Sequence, residues 1–551
     1  MNKSFLKNTA VMFIAMIIVK LLGAVFKIPL GNILGGDGMG YFSTAFSIFT
    51  PILAFTASGI PMVVTQVTAQ KASRGEYETI ASFRRCALIV GTGAGIMGTA
   101  VIFIAALPFA YFIANTPEAL PAILIIAPSV LFCSVTAVYR GYYEGLSDMT
   151  PTAVSQIVEA VVKAGAGIAL SYGAYGYFSH ELCSEEKALP YAAAAAILGV
   201  TLSEFCGMLY MLIYSRRHRI KPVKCKRTDT TETIKEIITQ ALPVAIGAVI
   251  GNLISFTDLL TISNCINLSY SFFPYQLAGG IVSLQGTTAA DDPGNFLYGS
   301  YSGIIMSVYM LTATIPMLIP RCSQPRLICT IELNKSDNLS AIKHDISVIL
   351  KGTMLISVPV SVFVAVMAEP VLKILYPVRE LEAAAGVIPL QILSIGGIFA
   401  SFAGALMNVF QGYGDFRTPV RITLVTGLIK FVLNVALILI PGVNICGAAV
   451  ATSVSQLFCV FYTLSVVKKR FGIAVSFAKE SFPMLISGCI SGIAAFYCHN
   501  IFITAMPVIL SVFLSCLTGG ILYLLILYIA DSGELSAVIN SIRSKNCGGG
   551  L

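Results

Sequence analysis

The chain has no Trp and only four His in 551 residues, and just 11% of it is charged, against roughly a quarter in soluble proteins. So little charge cannot solvate a surface, which excludes a water-soluble fold. His180, His218, His344 and His499 stand far apart, without the spacing of metal ligands or of a catalytic triad. The 14 Cys include no C-x-x-C pair, so residues such as Cys86, Cys133, Cys206 and Cys459 are expected to be small, reduced members of apolar helices. No G-x-x-x-x-G-K-[ST] occurs, which removes a phosphate loop for ATP hydrolysis. These absences predict no cofactor, no metal and no enzyme chemistry.

What is abundant is hydrocarbon: 56% of the residues are hydrophobic and the mean hydropathy is +0.84. Fourteen spans of about 20 residues would take roughly 280 residues, leaving no separate soluble domain. Uncharged apolar runs lie near residues 10–34, 40–65, 86–112, 120–139, 150–172, 190–214, 237–262, 298–320, 346–368, 384–410, 418–440, 444–467, 481–499 and 505–530. Runs of this length must satisfy their own backbone hydrogen bonds in lipid, which makes them helices rather than barrel strands. The expected fold class is an all-α integral membrane protein of about 14 transmembrane helices. Lys3 and Lys7 before the first run resemble a signal peptide, but no small-x-small cleavage site follows, so a retained first span is expected. GTGAGIMG at 91–98 lies inside an apolar run and is expected to pack helices together, not to bind nucleotide.

The net charge of +8 points away from nucleic acid, because the basic residues alternate with apolar runs and form no solvated face. With the amino terminus inside, only Lys187, Lys373 and Arg379 of the 35 Lys and Arg fall outside, and only Lys20, Lys27, Lys163 and Lys430 fall within spans. That asymmetry predicts that both termini lie in the cytoplasm. Arg216 to Lys235 is the densest basic stretch and is expected to connect two domains beside anionic headgroups. Tyr111, Tyr172, Tyr210 and Tyr214 are the expected interface anchors in a chain without Trp.

Residues 138–163, VYRGYYEGLSDMTPTAVSQIVEAVVK, pair with 408–430, NVFQGYGDFRTPVRITLVTGLIK. Gly145, Asp148 and Lys163 fall opposite Gly412, Asp415 and Lys430, all at an offset of 267. Glu204 faces Gln456 after 15 extra residues in the first half are allowed for. This duplication predicts a six-helix bundle at 1–217, a basic connector at 218–235, a second bundle at 236–470, and two additional helices with a tail at 471–551. An even number of spans per half gives a pseudo-two-fold axis along the membrane normal, with a cleft opened alternately to each side.

Charges sunk in hydrocarbon cost several kcal/mol unless a partner or water satisfies them. Lys20 and Lys27 are seven residues apart, about 10.5 Å along one helix face, with Gly23 on the same face and Pro29 beyond. Lys163 has Glu159 four residues earlier, where an ion pair within the helix competes with a ligand role. Lys430 has Thr426 and Asn434 at those positions, and so needs a counter-ion from elsewhere. Glu204 and Asp258 are the other intramembrane acids, candidates with Glu159 for ion coupling or structure; Asp258 is expected near the outer interface, where solvation alone would explain it. Pro61 and Pro316, with Gly23 and Pro29, are candidate hinges. More Lys than acid favours an anionic, phosphorylated amphiphile as substrate.

Three segments, KLLGAVFKIPLGNILGGDGMG at 20–40, ASGIPMVV at 57–64 and the 138–163 stretch, resemble the stage V sporulation protein B family. That family belongs to the polysaccharide exporters of the multidrug/oligosaccharidyl-lipid/polysaccharide superfamily, related to lipid II flippases. The resemblance implies translocation of an undecaprenyl-pyrophosphate-linked saccharide, such as a peptidoglycan precursor for spore cortex, with membrane lipids and cell-wall synthesis proteins as partners. It also implies that Lys20 and Lys27 face a central cavity; their charge within spans adds Lys430 and Lys163 as candidate substrate-binding residues. The eighth span departs from lipid II flippases in holding no Arg; Arg321 lies just past it. The alternatives are a cation-coupled multidrug antiporter leaning on Glu159, Glu204 and Asp258, and a membrane-embedded glycan polymerase or transferase.

Overall fold

A computed structural model describes residues 3–218, 230–273, 292–320, 323, 339–412, 415, 417–472 and 475–530. Most of the basic connector, Arg321 and the tail after 530 therefore lie outside the described residues. The described residues are helical, with no strand among them, as a backbone in lipid requires. Thirteen helices among them are long and apolar enough to cross a bilayer.

The first of these counts twice. Helix α1, Lys3–Ala57, carries Gly35 at φ 62° inside it, a left-handed conformation that favours glycine. Phe26 and Phe42 have ring centroids 6.1 Å apart, whereas sixteen residues of continuous helix would separate them by about 24 Å. The chain thus folds back at Gly35, and the two expected spans 10–34 and 40–65 are the arms of a hairpin, giving fourteen crossings in all. The second arm continues past a break at Ser58 into α2, Gly59–Ser73.

The remaining helices follow in order: α3 (Tyr77–Pro108), α4 (Leu120–Ile126), α5 (Ser129–Gly145), α6 (Thr150–Glu181), α7 (Glu185–Arg217), α8 (Thr230–Phe272), α9 (Pro293–Gly299) and α10 (Met306–Thr314). Then come α11 (Leu339–Val366), α12 (Ala368–Leu375), α13 (Glu380–Gly412), α14 (Arg417–Ile438), α15 (Asn444–Phe471), α16 (Phe477–Phe502) and α17 (Val508–Ala530). Three expectations change. The stretch 263–297, which lies between the apolar runs 237–262 and 298–320, is helical up to Phe272 and again from Pro293, because its first ten residues simply extend α8. The eighth span is not one regular helix: α9 passes through a π-helical turn, Ser300–Ile305, into α10, with a turn at 315–317 around Pro316. Arg140, placed by sequence outside the spans on the inner side, lies inside α5.

The chain forms two compact units, Met1–Leu268 with Gly286–Ile304 and Ser269–Gln285 with Ile305–Leu551. In the first, Ile60, Val64, Ile80, Phe83, Tyr142 and Met211 form a buried core that Ile237 and Ala241 of α8 complete, so α8 packs here through Leu268. A Cβ at Gly91, Gly95 or Gly98 would collide with Val138, Leu131 or Val130 of α5; the glycine run at 91–98 is there to let two helices touch. In the second unit, Ile346, Leu350, Met354, Phe402, Phe410 and Val460 form the core. The two additional helices join it: Gly488 and Gly492 admit Val358 and Val362 of α11, and the Tyr523 hydroxyl donates to the Leu355 carbonyl at 3.2 Å.

Candidate functional site

In the first unit, α1, α6 and α7 approach closely because glycines face one another. A side chain at Gly167 would overlap the Phe26 ring, and one at Gly199 would overlap the Gly167 backbone. This close packing brings Lys163 of α6 onto the hairpin. Its Nζ lies 5.2 Å from the centre of the Phe26 ring and 5.4 Å from that of Phe46, so one aromatic face from each arm holds the ammonium. Such contacts contribute about 0.5–2 kcal/mol each without neutralising the charge. Lys27 is within electrostatic range of both Lys163 and Lys20. Lys20 is exposed and Lys27 half-buried, and none of the three makes an ion pair with a described residue.

The expected Lys163–Glu159 pair is not formed. Glu159 accepts from Arg140 instead, Nη2 to Oε1 at 2.7 Å, and the same guanidinium donates from Nε to Ser155 Oγ at 2.9 Å. Glu159 sits against Gly207 of α7, where any Cβ would overlap its carboxylate. A planar guanidinium reaching from α5 holds the carboxylate in a fixed geometry that a flexible ammonium on the same helix does not match. Arg140 is the residue that sequence reasoning missed, and the repeat held the signal: its counterpart at offset 267 is Met407, an apolar residue that marks the position as interior. Glu204 is also engaged, accepting from the Cys133 thiol at 3.0 Å.

The structure thus brings Lys20, Lys27 and Lys163 into one neighbourhood, with Glu159 and Glu204 occupied beside it. Lys430 belongs to the second unit, where it is buried, 5% exposed, on α14 with Thr426 and Asn434 buried a turn away on either side. Asp258 is 6% exposed, which corrects its expected solvated position: α8 runs on to Phe272, so this turn lies within the helix and not at its outer end, in electrostatic range of Tyr298. The Tyr298 hydroxyl in turn shares a hydrogen bond of 2.8 Å with Ser47. No helix approaches within 4 Å of where a Gly23 side chain would start, so the face carrying Lys20 and Lys27 is open there. Pro29 lies within continuous helix, Pro61 in the first turn of α2 beside Gly141 of α5, and Pro316 in the turn after α10. Among the described residues no group of three His, Cys, Asp or Glu side chains could hold a metal ion.

A multi-helical membrane fold with unneutralised lysines inside its bundle defines a transporter-like class of protein, and comparison with known proteins gives the family. A family model described as polysaccharide biosynthesis protein matches residues 5–319, and the chain belongs to that family. A second, described as lipid II flippase MurJ, matches residues 325–529. Stage V sporulation protein B of Bacillus subtilis is 21% identical over 89% of this chain and 89% of its own length. Lipid II flippase MurJ of the same organism is 23% identical over 90% and 88%. Among solved structures, lipid II flippase MurJ in an inward closed conformation has a TM-score of 0.65 at 14% identity, covering 94% of this chain and 98% of that one. An inward-facing multidrug resistance MATE family transporter of the MOP superfamily has 0.62 at 14% identity, covering 82% and 94%. The helical fold expected from sequence is the one these proteins share.

Proposed function

We propose that this chain is a flippase that moves a polyprenyl-pyrophosphate-linked saccharide across the plasma membrane, exposing its site alternately to the two leaflets, with both termini in the cytoplasm. The observation that carries the reading is the cluster of Lys20, Lys27 and Lys163, three cations within spans with no carboxylate among the described residues ion-paired to any of them. A buried cation without a partner is costly, and a pyrophosphate supplies more than one negative charge at one place. Lys163 is held by two rings, which engage its ammonium without supplying a counter-charge. Lys20 and Lys27 lie on a face with room beside Gly23, which suits a bulky headgroup whose prenyl chain stays in lipid. Lys430, buried within the second unit, is proposed as a substrate-binding residue of that unit. The family to which the chain belongs, and the lipid II flippase that resembles it over most of both chains, support the same substrate class.

A cation-coupled drug antiporter would need its acids free to exchange ions, and Glu159 is tied to Arg140 while Glu204 accepts from Cys133. A glycan polymerase or transferase would need a reacting group, and the cluster offers cations only. In vesicles holding the reconstituted protein, labelled lipid-linked saccharide becomes accessible on the opposite leaflet. Lys20→Glu and Lys27→Glu each lower that rate by about 30-fold or more, the consequence of losing a buried charge contact worth 2 kcal/mol or above. Efflux of cationic drugs that survives in wild type and is abolished by Glu204→Gln would overturn the flippase reading.

A further inference from the structure

A second basic site lies away from the lysine cluster, wholly within the second unit. The start of α14 and the end of α15 line a cleft of about 480 Å³, to which Arg421, Lys469 and Arg470 contribute basic groups and Ile422, Tyr462 and Val466 apolar surface. Arg470 is already engaged, ion-paired with Asp415 at 2.5 Å and donating to Thr418 Oγ1 at 2.7 Å. Arg421 and Lys469 are exposed and make no ion pair with a described residue. A lining of both cations and hydrocarbon fits an amphiphile with a fixed negative charge next to its acyl chains.

The duplication shows that the cleft is an addition and not an accident of packing. At the offset that sets Glu204 against Gln456, Tyr210 falls opposite Tyr462 and Tyr214 opposite Val466. In the first copy the Tyr214 ring stands against Tyr143 and Tyr210, and its hydroxyl donates to Asp148 at 3.2 Å. In the second copy Val466 is too short for that role, Arg470 reaches the matching Asp415 instead, and space opens beside Tyr462. Arg421 stands where the first copy has Val154, so a second exchange adds a charge to the cleft.

We propose that this cleft binds the phosphodiester headgroup of an anionic phospholipid, with the phosphate between Arg421 and Lys469 and an acyl chain along Ile422, Tyr462 and Val466. A free phosphate would use the charges and leave the apolar surface wet; a zwitterionic lipid would use that surface and bring its own cation against two others. The test is native mass spectrometry of the purified full-length protein titrated with phosphatidylglycerol, with phosphatidylcholine and with glycerol 3-phosphate. Phosphatidylglycerol is expected to bind in preference to both. Each of Arg421→Gln and Lys469→Gln should weaken it about fivefold, and the double variant about 25-fold, the weight of one basic residue per step near an anionic headgroup. Val466→Tyr keeps every charge, copies a residue that the first half already carries, and should weaken binding by filling the cleft. Equal retention of phosphatidylcholine, binding of glycerol 3-phosphate as tight as that of the lipid, or phosphatidylglycerol affinity unchanged in the double variant and in Val466→Tyr would each overturn the proposal.

Discussion

At the turn leading into the fifth span of each copy, α6 in one and α14 in the other, stands an aspartate, Asp148 and Asp415, and both do the same work. Asp148 Oδ1 accepts from the Thr150 amide at 3.1 Å and Asp415 Oδ1 from the Arg417 amide at 3.1 Å, each capping the helix that follows. The other carboxylate oxygen reaches the far end of the next helix, through Tyr214 in the first copy and Arg470 in the second. Two turns further on the copies part. Where the first has Arg140, Glu159 and Glu204, the second has Met407, Thr426 and Gln456, and Gly207, which makes room for the Glu159 carboxylate, is replaced by Cys459 beside Thr426. Only the lysine persists, as Lys163 and Lys430. Conserved frame and divergent interior mean that the ion pair of the first copy is not required to build the bundle; what the two copies share is the cap and the lysine.

The Arg140–Glu159 pair gives the sharpest way to break that comparison. Arg140→Met leaves a mostly buried carboxylate unpaired and is expected to destabilise the protein by about 3 kcal/mol, as is Glu159→Thr through the orphaned guanidinium. The double variant carries the second copy's residues and should recover most of that loss, read from thermal unfolding in detergent as a double-mutant cycle. Additive losses would show that the pair itself is needed. Gly207→Ala should cost about 1–3 kcal/mol by forcing a methyl group into the Glu159 carboxylate, and the cost should shrink in the Glu159→Thr background, where the shorter side chain leaves space. An equal penalty in both backgrounds would place the clash elsewhere. Phe26→Leu removes one of the two rings that hold Lys163 and should slow saccharide translocation by up to about tenfold, with a smaller change for Phe46→Leu at its slightly longer distance. No change in either would mean that the ammonium is positioned by something other than the rings.

The crossings were legible in the sequence because lipid imposes one rule on every span, and apolar length reports it directly. The hairpin in α1 was legible as two runs, with Gly35 among the glycines between them. The cluster was half legible. Lys20, Lys27 and Lys163 announce themselves as charges within apolar runs, yet the partner of Glu159 could not be read from α6 alone, since Arg140 comes from another helix and local spacing favours Lys163. Phe26 and Phe46 were invisible for the opposite reason: in a chain with 32 Phe a ring beside a cation has no pattern of its own. The length of α8 was misread because its last turns, ISNCINLSYSF, are polar enough to look like a loop, although packing keeps them helical.

The smallest effect concerns the caps. Asp148→Ala and Asp415→Ala each remove a helix cap and should each lower stability by about 1 kcal/mol, and the loss at Asp415 should depend on acid. Burial alone would push the Asp415 carboxyl up; hydrogen bonds from Thr418 and its amide, the Arg470 charge and the Arg417 amide outweigh it and hold the group below the usual carboxylate range. A carboxyl lowered by folding contributes stability that is fully present above its unfolded pKa and is lost as pH falls through the lower folded value. The penalty of Asp415→Ala should therefore be constant from neutral pH to about pH 5, then shrink toward zero as acid protonates wild type as well. Arg470→Gln should flatten that dependence by removing the guanidinium that helps hold the proton off. Unfolding curves of wild type, Asp415→Ala and Arg470→Gln between pH 7 and pH 3 decide it: if the Asp415→Ala penalty persists undiminished at the acid end, the carboxylate charge contributes nothing and the cap acts by geometry alone.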